Sequence, residues 1–228
     1  KNAYYSSKCV KSFFDMIDKD LPENFYENRK KGENENNICE FIRNDSIKEF
    51  IIYHNKNSIS LHSKIQPSIY ETNLFLLKKQ NKKPITLIEY AAFFGSIQIF
   101  NFLIMNNIKL TKSLWFYSIH GGNGEIIHLL EENHIDPPKN DDQCNVYNKI
   151  YIEAIKSHHN EIADYIMNFY LENKEEEKSQ DFAIHYLKYF NFISVQNEMI
   201  NESLFYDLCQ YDHPLFVYDL LTEKNIDL

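Results

Sequence analysis

Glycine is scarce. The 228 residues hold five: Gly32, Gly95, Gly121, Gly122 and Gly124. Loops that cradle phosphate need several, because glycine adopts positive φ and lets the backbone approach a ligand. Neither GxxxxGK[ST] nor GxGxxG occurs, so a nucleotide-binding α/β fold is not expected. Arginine is scarcer still. Of 24 basic residues only Arg29 and Arg43 are arginine, against 33 acidic ones, and the formal charge is −9. That balance lacks the basic face by which a domain grips nucleic acid, so no nucleic-acid partner is expected. Cys9, Cys39, Cys144 and Cys209 form no CxxC pair, which excludes a zinc ribbon and predicts free thiols in a reducing, cytoplasmic compartment. No apolar run approaches the roughly 18 residues of a membrane span. The segment Lys1–Val10 lacks a signal-peptide core.

What is present points to a folded chain. Hydrophobic residues make up 43% and charged ones 25%, enough apolar surface to offset the entropy of ordering. Aromatics reach 15%, with 17 Phe, 16 Tyr and one Trp. Lys, Asn, Ile, Phe and Tyr share AT-rich codons, so part of that excess is base composition rather than chemistry.

The strongest signal is self-similarity. TLIEYAAFFGSIQIFNFLIMNNIKL (86–110) aligns with SLWFYSIHGGNGEIIHLLEENHIDP (113–137) at an offset of 27, placing Gly95 on Gly122 and Leu103 on Leu130. A third copy starts at Lys149, with Ala91 on Ala154 and His158 at the glycine position. A fourth starts at Ser203, with Asp212 there. A fainter one occupies 38–57, with Asp45-Ser46 at the turn. Each reads as two short helices. Leu87, Ile88, Ala91 and Ala92 stripe the first, and Ile97, Phe100, Leu103 and Ile104 the second. Gly95-Ser96 breaks the pattern, Ser96 caps the second helix, and Asn106-Asn107 stops it.

These residues resemble the ankyrin repeat, with Thr86, Leu87, Ile88, Ala91, Ala92, Gly95, Ile99 and Leu103 at matching positions. The proline after the opening threonine is missing, and the 27-residue step is shorter than the usual ~33. The resemblance is closer to a divergent ankyrin-like branch expanded in certain anaerobic protists, and covers about residues 20 to 228. The predicted fold is an all-α, ankyrin-like solenoid of stacked helix–turn–helix repeats with little or no β. Residues 1–37 form an N-terminal part: a capping helix over Ser12–Lys19 and a polar loop over Asn24–Asn37. The array fills 38–228, with repeats near 38–57, 86–110, 113–137, 149–170 and 203–228 and a degenerate one at 181–192. Between them lie an extended segment over Ser58–Asn73, a flexible Lys78–Lys83 loop, a loop over Asp136–Asn145 and a charged linker over Glu172–Gln180. Phe216, Leu220 and Leu221 read as an uncapped face, so further repeats are expected beyond Leu228, and the chain, starting at Lys1, reads as part of a longer protein.

The resemblance implies a non-enzymatic, monomeric module that binds a protein partner on its concave face. The alternative is a targeting or regulatory segment of a larger enzyme or secreted effector. In such repeats the two residues before the turn glycine face the concave surface. The candidate contacts are therefore Arg43, Asn44, Phe93, Phe94, His120, Lys156, Gln210 and Tyr211. Phe93 and Phe94 have an equally good second reading, as packing against the extended segment before them.

Catalytic and metal readings are weaker, and no cofactor or metal is expected. His158-His159-Asn160-Glu161 has adjacent histidines, which point to different sides of a helix, and HExxH is lacking. His120-Gly121-Gly122 resembles an oxyanion loop but has no GxSxG elbow. Cys209 and His213 stand four apart, yet Cys209 falls on the small buried position of Ala92. Glu131-Glu132 and Glu175–Glu177 read as solvated surface.

Overall fold

The computed structural model describes residues 21–22, 24–80, 83–137, 146–171, 183–192 and 204–223. The expected capping helix at Ser12–Lys19, most of the Asp136–Asn145 loop and the Glu172–Gln180 linker lie outside them. Among the described residues the chain is helical, and its one β feature is an isolated antiparallel bridge between Lys64 and Thr86.

The helices are α1 (Phe25–Lys31), α2 (Asn37–Arg43), α3 (Ile47–Lys56), α4 (Leu74–Gln80), α5 (Leu87–Phe94), α6 (Ile97–Met105), α7 (Leu114–Gly121), α8 (Gly124–Glu132), α9 (Val146–Lys156), α10 (Asn160–Ile166), α11 (183–188), α12 (Phe205–Gln210) and α13 (Pro214–Glu223). A π-helical turn, Met167–Leu171, extends α10. Two of these correct the sequence reading. Asn24–Asn37 is not all loop, because α1 fills its first half, closed by Gly32 at φ 70 and fastened by Arg29 to the Ile69 carbonyl. Lys78–Gln80 end α4 rather than forming a loop. Asn73 caps that helix, its side chain accepting from the backbone N–H groups of Phe75 and Leu76 at 3.0 and 3.2 Å.

The repeat signal corresponds to one recurring turn. Asp45, Gly95, Gly122, His158, Phe190 and Asp212 all lie at φ between 47 and 66°. Around Gly95, the N–H groups of Gly95 and Ser96 bond back to the carbonyls of Ala92 and Ala91, the Schellman closure of a helix. The same pair of bonds closes the helices before Asp45, His158, Phe190 and Asp212. The degenerate stretch 181–192 thus contains a first helix and its turn. Second helices α3, α6 and α8 close alike, with Ser58, Asn107 and His134 at positive φ.

The residue after each turn reaches the copy before it. Asn123 donates to the Gly95 carbonyl at 3.1 Å, His159 to His120 at 3.1 Å, Asn191 to Ile155 at 2.8 Å and His213 to Leu187 at 2.8 Å. Ser96 gives its hydroxyl to the Ile42 carbonyl. Ser96 therefore does not cap α6, contrary to the sequence reading. The cap comes from the previous turn, where Asp45 accepts from the Gln98 and Ile99 N–H groups, both at 3.0 Å. A carboxylate there also complements the helix dipole. Asp45→Ala should cost about 1–2 kcal/mol by removing this cap and placing alanine at positive φ. Asp45→Asn, which tolerates that φ and keeps an acceptor, should lose less in urea titrations.

First helices α2, α5, α7 and α9 pack in sequence, and α3 lies against α6 behind them. α5 opens with a capping box between Thr86 and Glu89, and Leu87, Ile88, Ala91 and Ala92 are all buried. Trp115, 1% exposed, donates its indole N–H to the Ile135 carbonyl at 2.6 Å. Ala183, Leu187, Leu204, Leu208 and Leu220 form a second, smaller core. Leu220 is buried there and not on an open face as expected, whereas Leu215 and Tyr218 are exposed.

Candidate functional site

α4 lies outside the repeat register and packs onto the ends of the first helices. Leu76 anchors it in the core. Phe75 stacks on Phe93 at 5.7 Å and 10°, meets Tyr117 edge-on at 5.2 Å, and covers the His120 ring at 3.8 Å. Phe93 is consequently buried. Phe93 thus packs against α4, which follows the extended segment named in its second reading, and not against that segment itself. Phe94 stays half-buried, against Tyr90 at 4.7 Å and Phe93 at 4.9 Å.

Two adjoining pockets flank Phe94. The larger, of about 630 Å³, is lined by Glu71, Phe75, Phe93, Phe94, His120 and Lys156 among others. The second, of about 410 Å³, has Arg43, Asn44, Glu35 and Glu40 in its wall, and both share Glu33 and Phe94. The structure therefore brings six of the eight candidates to one groove: Arg43, Asn44, Phe93, Phe94, His120 and Lys156. Gln210 is exposed on α12 and Tyr211 packs against the small core; neither lines either pocket.

Arg43 is committed internally. It donates to the Asn34 carbonyl at 2.8 Å and the Tyr90 hydroxyl at 3.2 Å, pairs with Glu33 at 3.2 Å, and leaves 11% of its side chain exposed. It thereby ties the loop after α1 to α5. Beneath it Cys39 is a free thiol that burial pushes up to about 12, against the partial relief that Arg43 supplies. Glu71 is 4% exposed and accepts from the Asn73 N–H at 2.8 Å. Burial raises its carboxyl above the ordinary value, although the Asn73 and Thr72 N–H groups and Arg43 pull the other way.

The far end of the larger pocket holds a hydrogen-bonded series. His120 Nε2 lies 2.6 Å from Glu153, and Ser157 Oγ lies 3.1 Å from His120 Nδ1. Lys156 reaches the same Glu153 oxygen at 2.9 Å. Burial opposes ionisation of Glu153, but the bonds from His120 and Lys156 outweigh it and hold the carboxyl down at about 2. The trio of serine, histidine and glutamate has the composition of a hydrolase triad. However, Ser157 donates its proton to the Glu153 carbonyl one turn back, at 2.8 Å. That is a serine bonded into its own helix, not one presented to a base for attack.

Two side chains depart from the sequence reading elsewhere. Glu131 is not a solvated surface acid, since it accepts from the Tyr165 and Tyr170 hydroxyls and lies 3.0 Å from His128. Cys209 is exposed rather than buried, because no further helix among the described residues covers α12 as α7 covers Ala92. Sequence reasoning missed Glu33, Glu71, Phe75 and Glu153. An N-cap asparagine before Leu74-Phe75-Leu76-Leu77 was the available signal for α4, and with it for Phe75.

No protein-family model, curated protein or solved structure matches the chain. Among the described residues no helix is long and apolar enough to cross a membrane.

Proposed function

We propose that the chain is a non-enzymatic protein-interaction module, an ankyrin-like solenoid that binds a protein partner along the groove beside its first helices. The groove around Phe94 carries this reading. Six residues selected by repeat register alone converge there, and a half-buried aromatic between two pockets is the kind of anchor on which interfaces concentrate their energy. Recurrence of one turn, with one side-chain bond from each copy to the last, supports the solenoid. So does the row formed by α2, α5, α7 and α9.

Phe94→Ala supplies the test. It should lower stability by about 1–2 kcal/mol, less than the roughly 3 kcal/mol expected for the buried Phe93→Ala. Capture of a partner from the source cells should nevertheless fall at least about tenfold, as for a hot-spot residue. Tyr218→Ala, on the exposed side of α13, should leave capture unchanged. Equal capture by wild type and Phe94→Ala would remove the reading.

A further inference from the structure

The larger pocket is aromatic on its floor and anionic on one side. Phe75 and Phe93 lie nearly parallel, and Phe94 stands edge-on to Phe93 at 78°. Glu71 stands in the wall at the start of α4, buried, its carboxylate oriented by the Asn73 N–H. Among the described residues it makes no salt bridge. Glu33, half-exposed, stands in the same wall and shares Arg43, its one ion-pair partner among the described residues, with the field around Glu71. Two carboxylates thus face one guanidinium that is already bonded to Asn34 and Tyr90. The Lys156 ammonium at the opposite end offers no compensation, because it turns to Glu153, as the His120 ring does.

We propose that this pocket takes a lysine or arginine side chain presented by an extended segment of the partner. This rests on the interaction-module reading above and adds the chemistry of the residue recognised. The methylene stem lies on the phenylalanine rings, and the cationic head reaches Glu71 and Glu33. Aromatic faces attract such cations, and long basic side chains bury their stems while their heads stay polar. A pocket of about 630 Å³ has room for the side chain and its flanking backbone. The excess of acidic residues over the whole chain, 33 against 24, favours encounter with a basic segment. Burial keeps the Glu71 carboxyl raised, and a docked cation offsets that desolvation.

Nine-residue peptides with randomised flanks test the idea, with Lys, Arg, norleucine or Glu fixed at the centre and the full chain as probe. Lys- and Arg-centred peptides should be retained at least about tenfold better than the others, as for paired charges across an interface, and added salt should weaken that retention. Glu71→Gln keeps the acceptor for Asn73 and should abolish the preference for a basic centre. Glu33→Gln, at a half-exposed position, should reduce it and serves if the Glu71 variant fails to fold. Retention of norleucine- or Glu-centred peptides equal to the basic ones, still lost in Phe94→Ala, would overturn the inference and leave the interaction module standing. Retention indifferent to Phe94→Ala, or no retention of any peptide, would overturn both.

Discussion

Gly121→Ala is expected to destabilise the protein by about 3 kcal/mol or more, at the upper end of the range for overpacked cores. Gly121 ends α7 where it crosses the end of α5. A Cβ there would stand 2.5 Å from the carbonyl oxygens of both Ala92 and Phe93. Both are backbone atoms inside a closed helix turn, so neither can rotate away. Relief requires α7 to back off α5, which loosens the apolar contacts of Ala91, Ala92 and Trp115 and lengthens the Asn123 bond to Gly95. Gly124→Ala is the internal control. Nothing lies within 4 Å of its added methyl, and alanine is the better helix former by about 1 kcal/mol. For a chain of this size each kcal/mol moves the melting temperature by about 2–4 °C. Gly121→Ala should therefore melt at least about 6 °C below wild type and Gly124→Ala at or above it. Similar melting of the two variants would mean that the α5–α7 approach is softer than the geometry requires.

The same region shows why part of the structure was legible in the sequence and part was not. Gly95 and Gly122 announced their turns because glycine reaches positive φ without penalty. His158 and Asp212 occupy the same conformation, at 60° and 59°, with side chains that reach it less readily than glycine does. The two backbone bonds of each closure, and the side chain of the next residue, offset that strain. Spacing exposed those turns, whereas residue type alone did not. Phe93 and Phe94 followed from the register for the same reason. Glu71 and Phe75 did not, because they come from the stretch between Asp45 and Gly95, where the chain leaves the repeat and returns as α4. Seven residues make too short a helix to be stable alone. α4 exists because Leu76 is buried and Phe75 stacks on Phe93, contacts that no local pattern reveals. The Asp45 cap on α6 was equally hidden, since donor and acceptor stand 53 and 54 residues apart. The contrast also separates the candidates by exposure. Register placed Arg43 and Phe93 at the surface, but long-range contacts turned both inward, whereas Phe94 stays half-buried and Asn44 and Lys156 exposed along the groove.

Glu153→Gln should cost about 2–3 kcal/mol at neutral pH, and the cost should vanish in acid. Glu153 joins α9 to α7 through His120, with Lys156 completing the pair of donors, and its side chain is 18% exposed. Its folded-state value of about 2 lies below the ordinary 4.5, so the folded protein holds this proton more weakly than the unfolded chain does. At about 1.4 kcal/mol per unit, the carboxylate contributes stability that is complete above the unfolded value. That contribution is lost as pH falls from 4.5 through about 2. Urea titrations of both proteins should show a constant gap above about pH 5 that closes over this window. A gap that persists at low pH would assign the loss to packing instead of charge. The substitution also reaches the groove. Without the shared acid, the Lys156 ammonium and His120 are left at the end of the larger pocket with no carboxylate to hold them. That end becomes more cationic, and a basic peptide should bind more weakly. Glu71→Gln should weaken the same binding from the opposite wall, with stability at neutral pH unchanged or raised, since it removes a buried carboxyl whose ionisation the fold disfavours. Loss of binding with loss of stability in one variant, and without it in the other, would separate the charge of the pocket from the integrity of the fold.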